Sequence, residues 1–188
     1  MLSLRVRMIA LPISGPDIMK ALYAVEPYCT HHGEISEAIA MAANQDPFFP
    51  ERFDGCFRTA AVLIALAWLG SRFQPNLVGN NGKSFGLYQI RPPSQDARGR
   101  TITTNMLTNP RDASLVAIDL VRESMRKDKG RTWEERLLSY WEDQQDDSPM
   151  HKSLQVMLLA DKISKDYFPS EMSLMPPPAA TLLGPGGL

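Results

Sequence analysis

The residues able to do chemistry gather at the exit of one apolar helix. Ser71 follows its last turn, and Tyr88 and Gln89 lie in a short apolar run, FGLYQI, just after the turn GNNGKS (79–84). Hydroxyl and amide side chains can both donate and accept hydrogen bonds. What is missing at the helix exit is an acid. A carboxyl group at the end of a buried helix, facing a cleft, is poorly solvated. Its neutral form is favoured, its pKa rises, and it can act as a general acid, an effect typically worth about 10²- to 10⁴-fold. Gly70 occupies that place and has no proton to donate. Taken alone, it reads as a helix C-cap.

Other reactive groups are less well placed. His31 and His32 have no third ligand nearby and read as a solvated turn, so no metal and no cofactor are expected. Cys29 and Cys56 form no metal motif and are too few for a disulfide scaffold. They read as two free thiols, with one disulfide as the alternative in an oxidising compartment. Glu51 and Asp54 stand at the far end of the helix, about 24 Å of helical rise from Gly70. Glu142 and Asp143 are conceivable relocated acids, although solvated charges at a helix end are the plainer reading.

The element that positions these residues is the stretch 57–69, apolar almost all the way round except for Arg58 and Thr59. A helix without a polar face belongs in the middle of a domain. Its length, about 20 Å, is too short to span a bilayer. The expected order is buried helix, abrupt stop at Gly70 with Pro75 beyond, polar turn, and a short strand-like FGLYQI.

That order resembles the lysozyme-like domain of peptidoglycan lytic transglycosylases and goose-type lysozymes. Their pattern is Glu-Ser-x-Phe-x-Pro followed by Gly-Leu-x-Gln-Ile. Here Ser71, Phe73 and Pro75 are in phase, as are Gly86, Leu87, Gln89 and Ile90, with Pro92 after them. Gly70 stands where the family has its catalytic Glu. The resemblance implies that Ser71 and Gln89 face N-acetylated sugars, that Tyr88 stacks on one, and that Phe73 packs under the turn at the substrate site. It also aligns Tyr140 with the family's Tyr that closes on the acid, although Trp141, Glu142 and Asp143 replace the Asn-Ala-Gly that follows. The family cleaves between N-acetylmuramic acid and N-acetylglucosamine without a metal.

The rest of the chain is read from local signals. Ser14-Gly15-Pro16-Asp17 starts a helix that ends before Pro27, and 34–44 is a second amphipathic helix. The proline-bounded loop 46–54 carries three phenylalanines, which pack on one another or line a sugar-stacking rim. Residues 92–105 read as a polar loop. Asn109-Pro110 starts a helix with a buried stripe of Ala113, Val116, Ala117, Leu120, Val121 and Met125. Thr132 to Glu135 has the form of a capping box. A last helix over 153–167 would turn Leu154, Met157, Leu158 and Ile163 inward. The Pro/Gly-rich tail 169–188 is low in complexity.

The totals are consistent with this reading. With 188 residues, 44% of them hydrophobic, the chain can bury a proper core, and a net charge of −1 gives no electrostatic case for nucleic-acid binding. The apolar run near the N-terminus, cut by Pro12, is too short for a secretory signal. The expected fold is all-α (α+β lysozyme-like), a central buried helix with a small irregular or β segment. The expected organisation is an N-terminal helical extension over 1–52, a lysozyme-like domain over 53–168 and the tail. The expected function is binding of peptidoglycan glycan strands without cleavage. The alternatives are a cleaving transglycosylase, through an engineered knock-out at residue 70 or a relocated acid, or a structural part of a phage or injection particle. The partner set is peptidoglycan, with a possible protein partner through the N-terminal region or tail, no nucleic acid and no membrane span. Synthesis is expected in the cytoplasm, with action at the cell wall or inside a virion or secretion particle.

Overall fold

The structure, a computed structural model, describes residues 12–49, 55–92, 95, 99–127 and 149–168. Within them the chain is mainly helical, with one two-stranded sheet. The helices are α1 (Gly15–Val25), α2 (His32–Gln45), α3 (Gly55–Ser71), α4 (Thr104–Thr108), α5 (Pro110–Lys127) and α6 (Pro149–Tyr167). The strands are β1 (Val78–Gly79) and β2 (Ser84–Phe85), antiparallel, pairing Val78 with Phe85 and Gly79 with Ser84.

Local chemistry accounts for the helix starts. Ser14 caps α1 by accepting the Asp17 N–H. The Asn109 side chain accepts the N–H groups of Arg111 and Asp112 at the start of α5. Both supply partners for backbone donors that have none within the helix. The short helix α4 begins in the last two residues of the stretch read as a polar loop, with Thr103 accepting the Met106 N–H. The capping-box stretch at 132–135 and the tail lie outside the described residues.

Helix α3 sits in the centre, in contact with α1, α2, α5 and α6, and every residue from Ala60 to Ala67 is buried. This is the physical consequence of an all-apolar circumference: each side of the helix must find a neighbour. Helices α1, α2, α5 and α6 share one continuous hydrophobic cluster with it. Arg122 of α5 clamps the end of α2, donating to both carboxylate oxygens of Asp46 at 2.7 and 3.0 Å, to the Asp46 carbonyl at 3.0 Å and to Asp119 at 3.3 Å.

Two expectations are corrected here. Helix α6 turns a partly different face inward: Ile163 is buried and Met157 half-buried against the core as expected, but Leu154 and Leu158 are exposed, and Ser153, Val156 and Ala160 are buried instead. Small side chains at Ser153 and Ala160 suit close packing against the alanine-rich α3, its most extensive helix contact among the described elements. His32 is not part of a solvated turn. It is the first residue of α2 and is buried, with its ring 4.0 Å from that of Tyr23.

Candidate functional site

The exit of α3 differs from the expected cap. The helix runs through Gly70 to Ser71, and Gly70 has no left-handed backbone. The reversal falls instead on Arg72 and Phe73, with φ of 54° and 59°. Arg72 N–H donates to Trp68 O at 3.0 Å and Phe73 N–H to Ala67 O at 3.5 Å. Two non-glycine residues in this region carry strain. Burial of the Phe73 ring and stacking of the Arg72 guanidinium 3.6 Å from the Trp68 ring centre offset it. Gly70 has another use. A Cβ there would stand 3.3 Å from the Tyr88 carbonyl carbon and 3.4 Å from Leu87 O, so glycine lets FGLYQI pack directly on the helix.

FGLYQI is a tight turn rather than a strand. Phe85 and Ile90 exchange both backbone hydrogen bonds, at 2.9 and 3.2 Å, and 86–89 loop between them. Gly86 is at φ 76° and touches the end of α4.

The side chains expected to meet sugars are turned toward the protein. Ser71 is buried; its Oγ lies 2.7 Å from Leu87 O and 3.1 Å from Ala67 O as donor, and accepts the Gln74 N–H at 3.1 Å. Gln89 Nε2 donates to Leu77 O and Gly86 O, both at 2.9 Å, and its Oε1 accepts from Ser84 Oγ at 2.9 Å. Tyr88 is 1% exposed, with its hydroxyl 2.8 Å from Ser114 Oγ. Ser114 donates its own proton to Pro110 O, so the Tyr88 hydroxyl is the donor to Ser114. Polar atoms with buried partners such as these fix the wall of a site from behind, because leaving them unpaired costs more than exposing them gains. Phe73 is fully buried, as expected for a residue under the turn, and forms part of the floor of the groove described next. Tyr140, Glu142 and Asp143 lie outside the described residues.

Burial pushes the Tyr88 phenol well above its ordinary value of 10.0, against the smaller opposing effect of Ser114. Below pH 10 both folded and unfolded chains keep this proton. Above it only the unfolded chain releases it, so stability falls by about 1.4 kcal/mol per pH unit from this group. The expected result is a steeper alkaline loss of stability than in Tyr88→Phe, measured by urea unfolding between pH 9 and 11. Parallel curves for the two proteins would remove Tyr88 as the cause.

A groove of about 780 Å³ opens beside the α3 exit, between the α1–α2 loop (26–31) and the α3–β1 loop (72–77) with Val78 of β1. Gly70 does not line it. Its floor is held by Cys29, whose thiol donates to Phe73 O at 3.5 Å and accepts the His31 N–H at 3.3 Å. His32 Nε2 lies 2.8 Å from Glu26 O and its ring 6.4 Å from that of Phe73, which ties the two loops together. Tyr28 stands at the rim, 90% exposed, and Val78 is also exposed. Arg72 and Gln74 are exposed on one side of the groove, and Glu26 and Tyr28, far from them in the chain, line it with them only after folding. Cys29 and Cys56 are not joined in a disulfide. Among the described residues no cluster of His, Cys, Asp or Glu could hold a metal, and no helix is long and apolar enough to cross a membrane. No protein-family model, curated protein or solved structure matches this chain.

Proposed function

We propose that this protein is a lysozyme-like relative of the lytic transglycosylases that binds peptidoglycan glycan strands without cleaving them. One observation carries the reading. Two motifs separated in sequence meet in space, with Gly70 at the end of the buried helix packed on the Leu87–Tyr88 backbone. In the resembled family the acid would stand at that junction, and the absence of a side chain there removes the proton donor while leaving the frame. Binding without cleavage is physically consistent, because ground-state contacts to sugars are separable from a group that acts in the transition state. The protein would then meet its ligand at the cell wall, or be carried to it inside a larger particle.

The expected result is retention of the full chain on insoluble peptidoglycan at low salt, with no clearing of a cell-wall suspension. Clearing by the chain as it stands would overturn the silent reading. Absence of retention would overturn the binding one and favour a purely structural part of an assembly.

A further inference from the structure

The groove between 26–31 and 72–78 has a charge pattern of its own. Each loop brings one permanent charge, Glu26 from the first and Arg72 from the second. Neither makes an ion pair with another side chain among the described residues. Arg72 lines the groove, and the stacking of its guanidinium on Trp68 leaves it less freedom to lose on binding. The half-buried Glu26 follows the end of α1, where His32 fixes its carbonyl. A simple anion would satisfy Arg72 and leave Glu26 repelled; a simple cation would do the reverse.

We infer that this groove binds a short zwitterionic peptide, its carboxylate on Arg72 and its ammonium on Glu26. The volume, about 780 Å³, is in the range of small-ligand sites and is too large for a single amino acid. Thr30, Gln74 and Asn76 line the groove with hydroxyl and amide groups, which match the alternating donors and acceptors of a peptide backbone. The exposed Tyr28 ring and the Val78 side chain at the rim give an apolar contact for a ligand side chain. The site does not rest on the glycan reading. Gly70 is not one of its lining residues, so peptide binding and peptidoglycan retention can fail separately.

Cys29 supplies a reporter, because its thiol is half-buried in the groove while Cys56 lies outside it. The full chain is treated with iodoacetamide in the presence of three probes: the tripeptide Ala-Glu-Lys with free termini, the blocked neutral tripeptide acetyl-Ala-Gln-Ala-amide, and tri-N-acetylglucosamine. Alkylation at both cysteines is followed by mass spectrometry and affinity by calorimetry. The expected result is that millimolar Ala-Glu-Lys slows alkylation of Cys29 relative to Cys56, and that the two neutral probes do not. Arg72→Gln and Glu26→Gln should each weaken Ala-Glu-Lys binding by about two- to fivefold, as for partly exposed ion pairs. Glu26→Gln keeps the backbone carbonyl that holds His32, so it remains decisive if Arg72→Gln lowers the melting temperature. Equal protection by a neutral probe, unchanged affinity in Glu26→Gln, or no protection of Cys29 by the zwitterionic tripeptide would each overturn the inference.

Discussion

Gly70→Glu is expected to turn the chain into a peptidoglycan-clearing enzyme, about 10²- to 10⁴-fold more active than the chain as it stands, on the proposed reading of the α3 exit. The new carboxyl would leave the last turn of α3, where Trp68, Leu69 and Gly70 are half-buried, beside the carbonyl of Leu87. Poor solvation and a neighbouring carbonyl oxygen both favour its protonated form, the form that donates. Space is tight but sufficient. The Cβ would approach the Tyr88 carbonyl carbon at 3.3 Å, so the turn at 86–89 must yield by a few tenths of an ångström. Replacing glycine in a helix gains about 1 kcal/mol of propensity, which offsets that contact. Gly70→Ala should therefore leave stability nearly unchanged, and Gly70→Gln, of the same shape as the acid, should remain inactive. The measurement is loss of turbidity in a cell-wall suspension. A folded Gly70→Glu protein that clears no faster than Gly70→Gln would end the lost-acid argument, even if the wild-type chain still binds the wall.

The largest loss of stability is expected from Gly86→Ala, about 3 kcal/mol or more. Two costs add. At φ 76° an alanine carries backbone strain of about 1 kcal/mol or more. Its Cβ would also fall 1.7 Å from Leu107 O and 2.5 Å from Leu107 C, a backbone contact that no side-chain rotation relieves. The turn would have to lift away from α4, loosening the buried Tyr88 and Leu87 with it. Gly82→Ala separates the two costs. Gly82 has a similar φ of 84°, and an alanine Cβ there would meet nothing within 4 Å, so only the strain should appear, about 1 kcal/mol. The comparison is by urea unfolding. Equal losses in the two variants would show that the approach to α4 contributes nothing.

Much of the frame was legible before folding. The run 57–69 could only be central, because no side of it tolerates water, and α3 is indeed enclosed by four helices. Ser14 and Asn109 marked helix starts through short-range side-chain chemistry, and both bonds are present. The turn after α3 was legible from its composition: Asn80, Asn81 and Gly82 all adopt positive φ, which asparagine and glycine accept most readily. Such features depend on neighbours a few residues away, so spacing alone reveals them.

The candidate site was legible only as a place. Residue types located the α3 exit, but they could not show that Ser71 would turn to Leu87 O, that Gln89 would close on Leu77 and Gly86, or that the Tyr88 hydroxyl would find Ser114. Each of those polar groups could equally have faced a ligand. The same holds for α6, where either Leu154 and Leu158 or Val156 and Ala160 could have formed the buried stripe, and for the groove, whose walls come from loops far apart in the chain. Helical period and turn composition are local properties of the backbone, whereas the partner a side chain selects depends on which distant surface arrives beside it, and that is settled only when the core closes.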